Sequence, residues 1–136
     1  MNEDYNGMAE QFKKVADKTV DSEEYVNVAL VLYRLGIECR LKAVLVSQNR
    51  FNQEDKHHKL RKLAENCKIG IPEEILYTLE HEIPLQHNKS QSQTYSGTWA
   101  FGPNTTDLDL ISTGKVYKVK CVEIWRLTAP HLIIRG

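Results

Sequence analysis

Between Val26 and Val44 the apolar residues fall at steps of three and four. Val26, Leu30, Tyr33, Ile37, Leu41 and Val44 therefore share one stripe of a helix. Arg34, Glu38 and Lys42 recur every fourth residue on the same segment, so opposite charges stack one turn apart. Asp21, followed three residues later by Glu24, predicts a capping pair for this helix, which runs to about Gln48 and is the longest in the chain. Upstream, Met8, Phe12 and Ala16 predict a first helix over residues 3–18 with those side chains facing a core. Residues 50–56 are polar and form a connection. A third helix over His57–Lys68 follows, its apolar side made of Leu60, Leu63, Ala64 and Cys67. Gly70 suits its C-terminal cap, and Pro72 suits the first turn of a fourth helix that carries Ile75, Leu76 and Leu79 inward.

Periodicity then lapses. From Gln86 to Thr106 the chain is rich in Ser, Gln, Thr, Asn and Gly, interrupted by Tyr95, Trp99 and Phe101, and reads as a long, partly ordered loop. The three aromatics lack the interleaved Lys and Arg of a base-stacking platform, so closing over the core or packing on a second subunit suits them better. Thr106 with Asp109 predicts the cap of a fifth helix to about Leu127, with Tyr117, Cys121, Ile124 and Trp125 on one face. Residues 116–122 also alternate well enough, and are β-branched enough, to pass for a strand. Such a strand would find no partner except the short Leu132–Ile134 tail, so a helix completing a bundle is the economical solution.

With 136 residues and 41% hydrophobic content, the chain is expected to fold as one domain over residues 1–136 around a modest core. The three cysteines, Cys39, Cys67 and Cys121, are odd in number and widely spaced, which argues against a disulfide framework and for a reduced cytoplasmic setting. The N-terminus is acidic and no apolar run approaches a bilayer span, so no membrane association is expected.

The net charge is zero, but the charges are blocked. Residues 1–33 hold three Lys against seven acids, 34–69 nine Lys or Arg against four, 70–109 one against six, and 110–136 five against one. Either acidic helices lie beside basic ones and offset them, or the two basic blocks share a face that attracts a phosphate backbone or an acidic partner.

No phosphate loop, dinucleotide fingerprint, nucleophile elbow or Cys-x-x-Cys pair is present. His57 and His58 are adjacent, so on a helix their side chains diverge by roughly 100° and do not converge on one metal ion. No cofactor is expected.

Glu38-x-x-Leu41-Lys42-Ala43 and the downstream His58-x-Leu60 resemble the HEPN domain family, and the order of elements fits over roughly residues 5–127. The resemblance implies an all-α fold, an antiparallel up-and-down bundle of four to five helices. It further implies a binding module for RNA, a nucleotide or a protein partner, a nucleotidyltransferase-type protein among them, in a toxin–antitoxin or defence setting, and it implies homodimerisation.

Catalytic members of that family are metal-independent ribonucleases with an Arg followed by a His after four to six residues. That chemistry needs a group moving protons near neutral pH and a cation where phosphate charge grows. Arg126 with His131 and Arg50 with His57 meet the spacing. Pro130 breaks the first pair, Leu127 stands where the family has a polar residue, and the second pair lies in a loop, so a non-catalytic or degenerate module is expected, with ribonuclease activity across a dimer as the alternative. A purely structural docking bundle is the third reading. On the long helix, Glu38 is expected either to belong to a plain helix ladder with Arg34 and Lys42, worth a few tenths of a kcal/mol per pair, or, where that face is partly buried against the third helix, to orient Lys42 or His58 toward a small anionic ligand.

Overall fold

The computed structural model describes residues 4–52, 59–81 and 107–132. In chain order these form α1 (Tyr5–Thr19), α2 (Val26–Ser47), α3 (Leu60–Cys67), α4 (Glu73–His81) and α5 (Asp107–Thr128), followed by a 3-10 turn at Ala129–His131. All regular structure among the described residues is helical. The strand reading of residues 116–122 is thereby settled in favour of helix: Tyr117, Cys121 and Ile124 are buried at helical spacing, while Val116, Val119 and Val122 face outward.

Capping differs from the sequence pattern at two ends. The Asp4 carboxylate accepts the Gly7 N–H at 2.9 Å and starts α1. At α2 the Asp21–Glu24 capping pair does not form. Tyr25 is the N-cap and makes no side-chain capping bond; Ser22 closes the turn ahead of it, its hydroxyl accepting from Tyr25 N at 3.2 Å and its carbonyl from Val26 N at 2.8 Å, and both acids are exposed. Asn49 (φ 61°) closes α2 in the left-handed conformation that Asn tolerates. The left-handed residue that ends α3 is Lys68 (φ 53°), and Gly70 (φ 77°) supplies a second bend two residues later rather than the cap itself. Thr106, the capping half of the predicted Thr106–Asp109 pair, and the loop at 86–106 lie outside the described residues.

The helix α2 is the spine, packing on α1, α3 and α5. Asp17 opposite Tyr33 and Asn6 opposite Arg40 show that α1 runs antiparallel to α2. Gly114 beside Val26 and Thr128 beside Arg40 show that α5 runs parallel to it. The expected stripe of α2 is buried in full, as are Leu60, Leu63, Ala64 and Cys67 of α3 and Ile75 and Leu79 of α4. Close approach depends on one helical glycine: a Cβ on Gly114 would meet Val20 at 2.8 Å and Val26 at 3.0 Å, whereas one on Gly36 would sit in ordinary contact with Phe12 Cβ at 3.4 Å.

Met8 is a correction: it is exposed, not inward. A four-residue step drifts by roughly 40° per step on a 3.6-residue helix, so the pattern anchored on buried Ala16 and half-buried Phe12 leaves Met8 on the flank while Ala9 takes the seam.

Candidate functional site

The charge ladder of α2 is not a surface feature. Arg34, Glu38 and Lys42 are 7%, 5% and 6% exposed, because a spine with neighbours on several sides leaves that face almost no solvent. Arg34 Nη1 donates to Glu38 Oε1 at 3.2 Å and Lys42 Nζ donates to Glu38 Oε2 at 2.9 Å, so one carboxylate holds two cations. Burial lowers the Arg34 pKa, opposed by the Glu38 charge and its hydrogen bond. Lys42 also lies 5.8 Å from the Tyr5 ring centre. The ladder is therefore a buried one, as the second of the two readings required. Glu38 and Lys42 do meet, but Lys42 is aimed at Glu38 and Tyr5; His58, the third residue expected there, lies outside the described residues.

A third buried cation, Arg40, went unread in the sequence. Arg40 stands three residues after Ile37 and four before Val44, in register with the apolar stripe, and a cation at such a position was the available signal. Its guanidinium joins three helices. Nε donates to Thr128 Oγ1 at 2.7 Å, Nη2 to the Trp125 carbonyl at 3.0 Å, and Nη1 to Asn6 Oδ1 at 2.8 Å and Glu10 Oε2 at 3.3 Å. It stacks on the Trp125 ring at 4.7 Å, while the indole N–H donates to Glu10 at 3.1 Å. Next to this cluster the Tyr33 hydroxyl donates to Asp17, which also accepts from Lys13 Nζ at 2.8 Å. Burial, then the hydrogen bond to Asp17, raises the Tyr33 pKa. Burial pushes the Cys121 thiol up to about 12, with Lys13 opposing and Asp17 adding to the rise, so it is no nucleophile at neutral pH. An open groove of about 330 Å³ runs along Glu10, Lys13, Lys14 and Asp17. This cluster is self-satisfied and structural.

Of the two Arg–His pairs, Arg126 and His131 alone lie wholly within the described residues. Arg126 and His131 are both exposed, and among the described residues no hydrogen bond or ion pair orients either side chain. Pro130 does end the α-helix, which tightens into the 3-10 turn, and the His131 carbonyl accepts from Ser47 Oγ at 2.9 Å. Arg50 Nη1 donates to Gln48 Oε1 at 2.7 Å, and Gln48 in turn donates to the Cys67 carbonyl at 2.9 Å, so Arg50 helps close the α2–α3 corner. Its partner His57 lies outside the described residues.

The basic blocks have different fates. In the 34–69 block Arg34, Arg40 and Lys42 are buried and Arg61 is bound by Glu65 at 2.9 Å, Glu73 at 3.0 Å and Glu80 at 2.8 Å, while Lys59, Lys62 and Lys68 are exposed. In the 110–136 block only Lys120 is paired among the described cations, with Glu123 at 3.8 Å. Lys115, Val119, Val122 and Arg126, at steps of four, three and four, form the outward stripe of α5, flanked by Lys118 and Val116. Val119 is 56% and Val122 50% exposed, so the stripe reads cation, two aliphatics, cation. Sequence reasoning missed it because the same residues were weighed as a strand.

Three free, buried cysteines and the absence of any cluster of three metal-ligating side chains hold among the described residues, and none of the described helices is long and apolar enough to cross a membrane. No protein-family model, curated protein or solved structure matches the chain.

Proposed function

We propose that the chain is a non-catalytic, HEPN-like helical module that docks an acidic protein partner on the outer face of α5. The observation that carries this reading is the Lys115–Val119–Val122–Arg126 stripe, an apolar centre with cationic ends on a helix whose opposite face is locked into the core. Aliphatic side chains at the centre suit a protein surface, which they help desolvate, better than a phosphate backbone, which offers them nothing. The family resemblance makes a nucleotidyltransferase-type protein a natural occupant. Binding rather than cleavage is favoured because, among the described residues, no second group orients Arg126 or His131.

The test is a pair of titrations, one with a fluorescent amphipathic peptide bearing Glu at both ends and Leu between, the other with a single-stranded RNA oligonucleotide in EDTA. The peptide binds wild type and loses binding to Lys115→Glu/Arg126→Glu, and the RNA stays intact. Cleavage that His131→Ala abolishes would establish the ribonuclease alternative. RNA binding tighter than peptide binding on the same face would make nucleic acid the ligand.

A further inference from the structure

We propose that Arg61 is a latch holding α4 against α3, and that α4 opens as a unit about the Lys68–Pro72 turn when salt screens that latch. Arg61 reaches both ends of α4. Nη1 and Nη2 donate to the two carboxylate oxygens of Glu73 at 3.1 and 3.0 Å, Nη1 also donates to Glu80 Oε1 at 2.8 Å, and Nε donates to Glu65 on its own helix at 2.9 Å. Glu73 is the first residue of α4 and Glu80 the last but one, so one guanidinium is anchored near both ends of the helix. An exposed ion pair contributes little by itself, but a bidentate arginine shared among several carboxylates holds its geometry, and its contacts add up.

The packing beneath this latch is thin. Among the described residues α4 packs chiefly on α3, outside the set of helices that the spine gathers. Ile75 and Leu79 are its buried aliphatic side chains, and the buried Thr78 turns its hydroxyl back to the Glu74 carbonyl at 3.1 Å, inside α4. An open groove of about 530 Å³, with Lys59, Lys62, Asn66 and Leu79 in its lining, runs along the seam, so water and ions reach the latch. The turn joining the two helices is suited to bending. Lys68 (φ 53°) and Gly70 (φ 77°) are both left-handed, and the space beside Gly70 is open. Segments with few buried contacts and solvent-reached links are the ones that open locally while the rest of a fold stays closed. Opening bares Ile75 and Leu79, and the latch sets how often that happens.

Hydrogen exchange of the full chain, read by mass spectrometry as protection relative to the unfolded chain, tests this. Three proteins are compared: wild type; Arg61→Gln, which removes the guanidinium; and Glu73→Gln/Glu80→Gln, which removes its partners on α4. At low salt the amides of residues 77–80 exchange about tenfold faster in either variant than in wild type, as expected for three exposed contacts worth about twofold each, while those of residues 33–44 in α2 keep their rate. At about 1 M salt, where the screening length is about 3 Å, wild type rises to the rate of the variants and the variants do not change. Circular dichroism confirms folding, and the α4 variant carries the test where Arg61→Gln does not fold. Unchanged exchange at residues 77–80 in the folded variants overturns the proposal. So does a rise of equal size in α2, since the whole chain then unfolds rather than α4 alone, and so does wild-type protection of α4 that is indifferent to salt. The outcome is independent of the α5 docking face, whose peptide titration succeeds or fails by itself.

Discussion

Arg40 Nε donates to Thr128 Oγ1 at 2.7 Å across 88 positions of sequence, tying the middle of α2 to the last residue of α5. Both residues are buried, and Thr128 Oγ1 also reaches the Ile124 carbonyl at 2.7 Å, so the hydroxyl donates along its own helix while accepting from the guanidinium. Thr128→Val keeps the shape and leaves the Nε–H without that acceptor, for which a loss of about 1–3 kcal/mol is expected. Arg40→Lys is no conservative change, since an ammonium cannot match the planar fork or the stack on Trp125. Urea unfolding of the two variants, with far-ultraviolet dichroism as probe, measures the losses.

The buried ladder predicts an asymmetry. Glu38→Ala leaves Arg34 and Lys42 as like charges without their shared carboxylate, and a loss of about 3–5 kcal/mol is expected for breaking such a buried arrangement from one side. Replacing Arg34, Glu38 and Lys42 together by Leu, Met and Leu is expected to cost far less. Denaturant midpoints compared between the single and triple variants decide it; equal losses would place the ladder in water.

Gly114→Ala should destabilise despite a gain of about 1 kcal/mol in helix propensity, because the new methyl meets Val20 at 2.8 Å and Val26 at 3.0 Å, and overpacking costs about 1–3 kcal/mol. Val20→Ala in the same chain should restore part of the loss. Thermal melts of the two variants provide the comparison.

Alkaline pH should loosen the α1–α5 seam. The Cys121 thiol is raised from 9.0 to about 12, first by burial, so the folded state disfavours its thiolate. The stability linked to it is fully present below pH 9 and is lost as pH rises toward about 12. Tyr33 acts in the same direction above pH 10.0. Unfolding followed at pH 8 and above should show a decline that Cys121→Ala makes shallower, and thiol titration of the native protein near neutral pH should find all three cysteines unreactive until it unfolds.

Much of the fold was legible because one stripe dominates. Val26 to Val44 recur at helical steps, and every member of that stripe is buried. Residues 116–122 were ambiguous because β-branching obscured the 3-4 spacing of Tyr117, Cys121 and Ile124, and only the parallel packing of α5 on α2 settles their state. The charged residues were harder to place. Arg34, Glu38 and Lys42 have the spacing of a solvated ladder, and nothing local says that α2 has neighbours on that side. Arg40 could be suspected from its register with the stripe, but its partners on α1 and α5 come from chain segments far away in sequence. Surface cations such as Lys115 and Arg126 become a face only when the inward side of α5 is known.

The central claim is that Arg34, Arg40 and Lys42 are bound into the fold while Lys115 and Arg126 of α5 face outward. Amine labelling with an acylating reagent, read residue by residue by mass spectrometry on the native protein, tests it directly. Lys115 should react at the rate of a solvated lysine, while Lys42 should stay unlabelled until the chain unfolds. Labelling of Lys42 as fast as that of Lys115 would contradict the account.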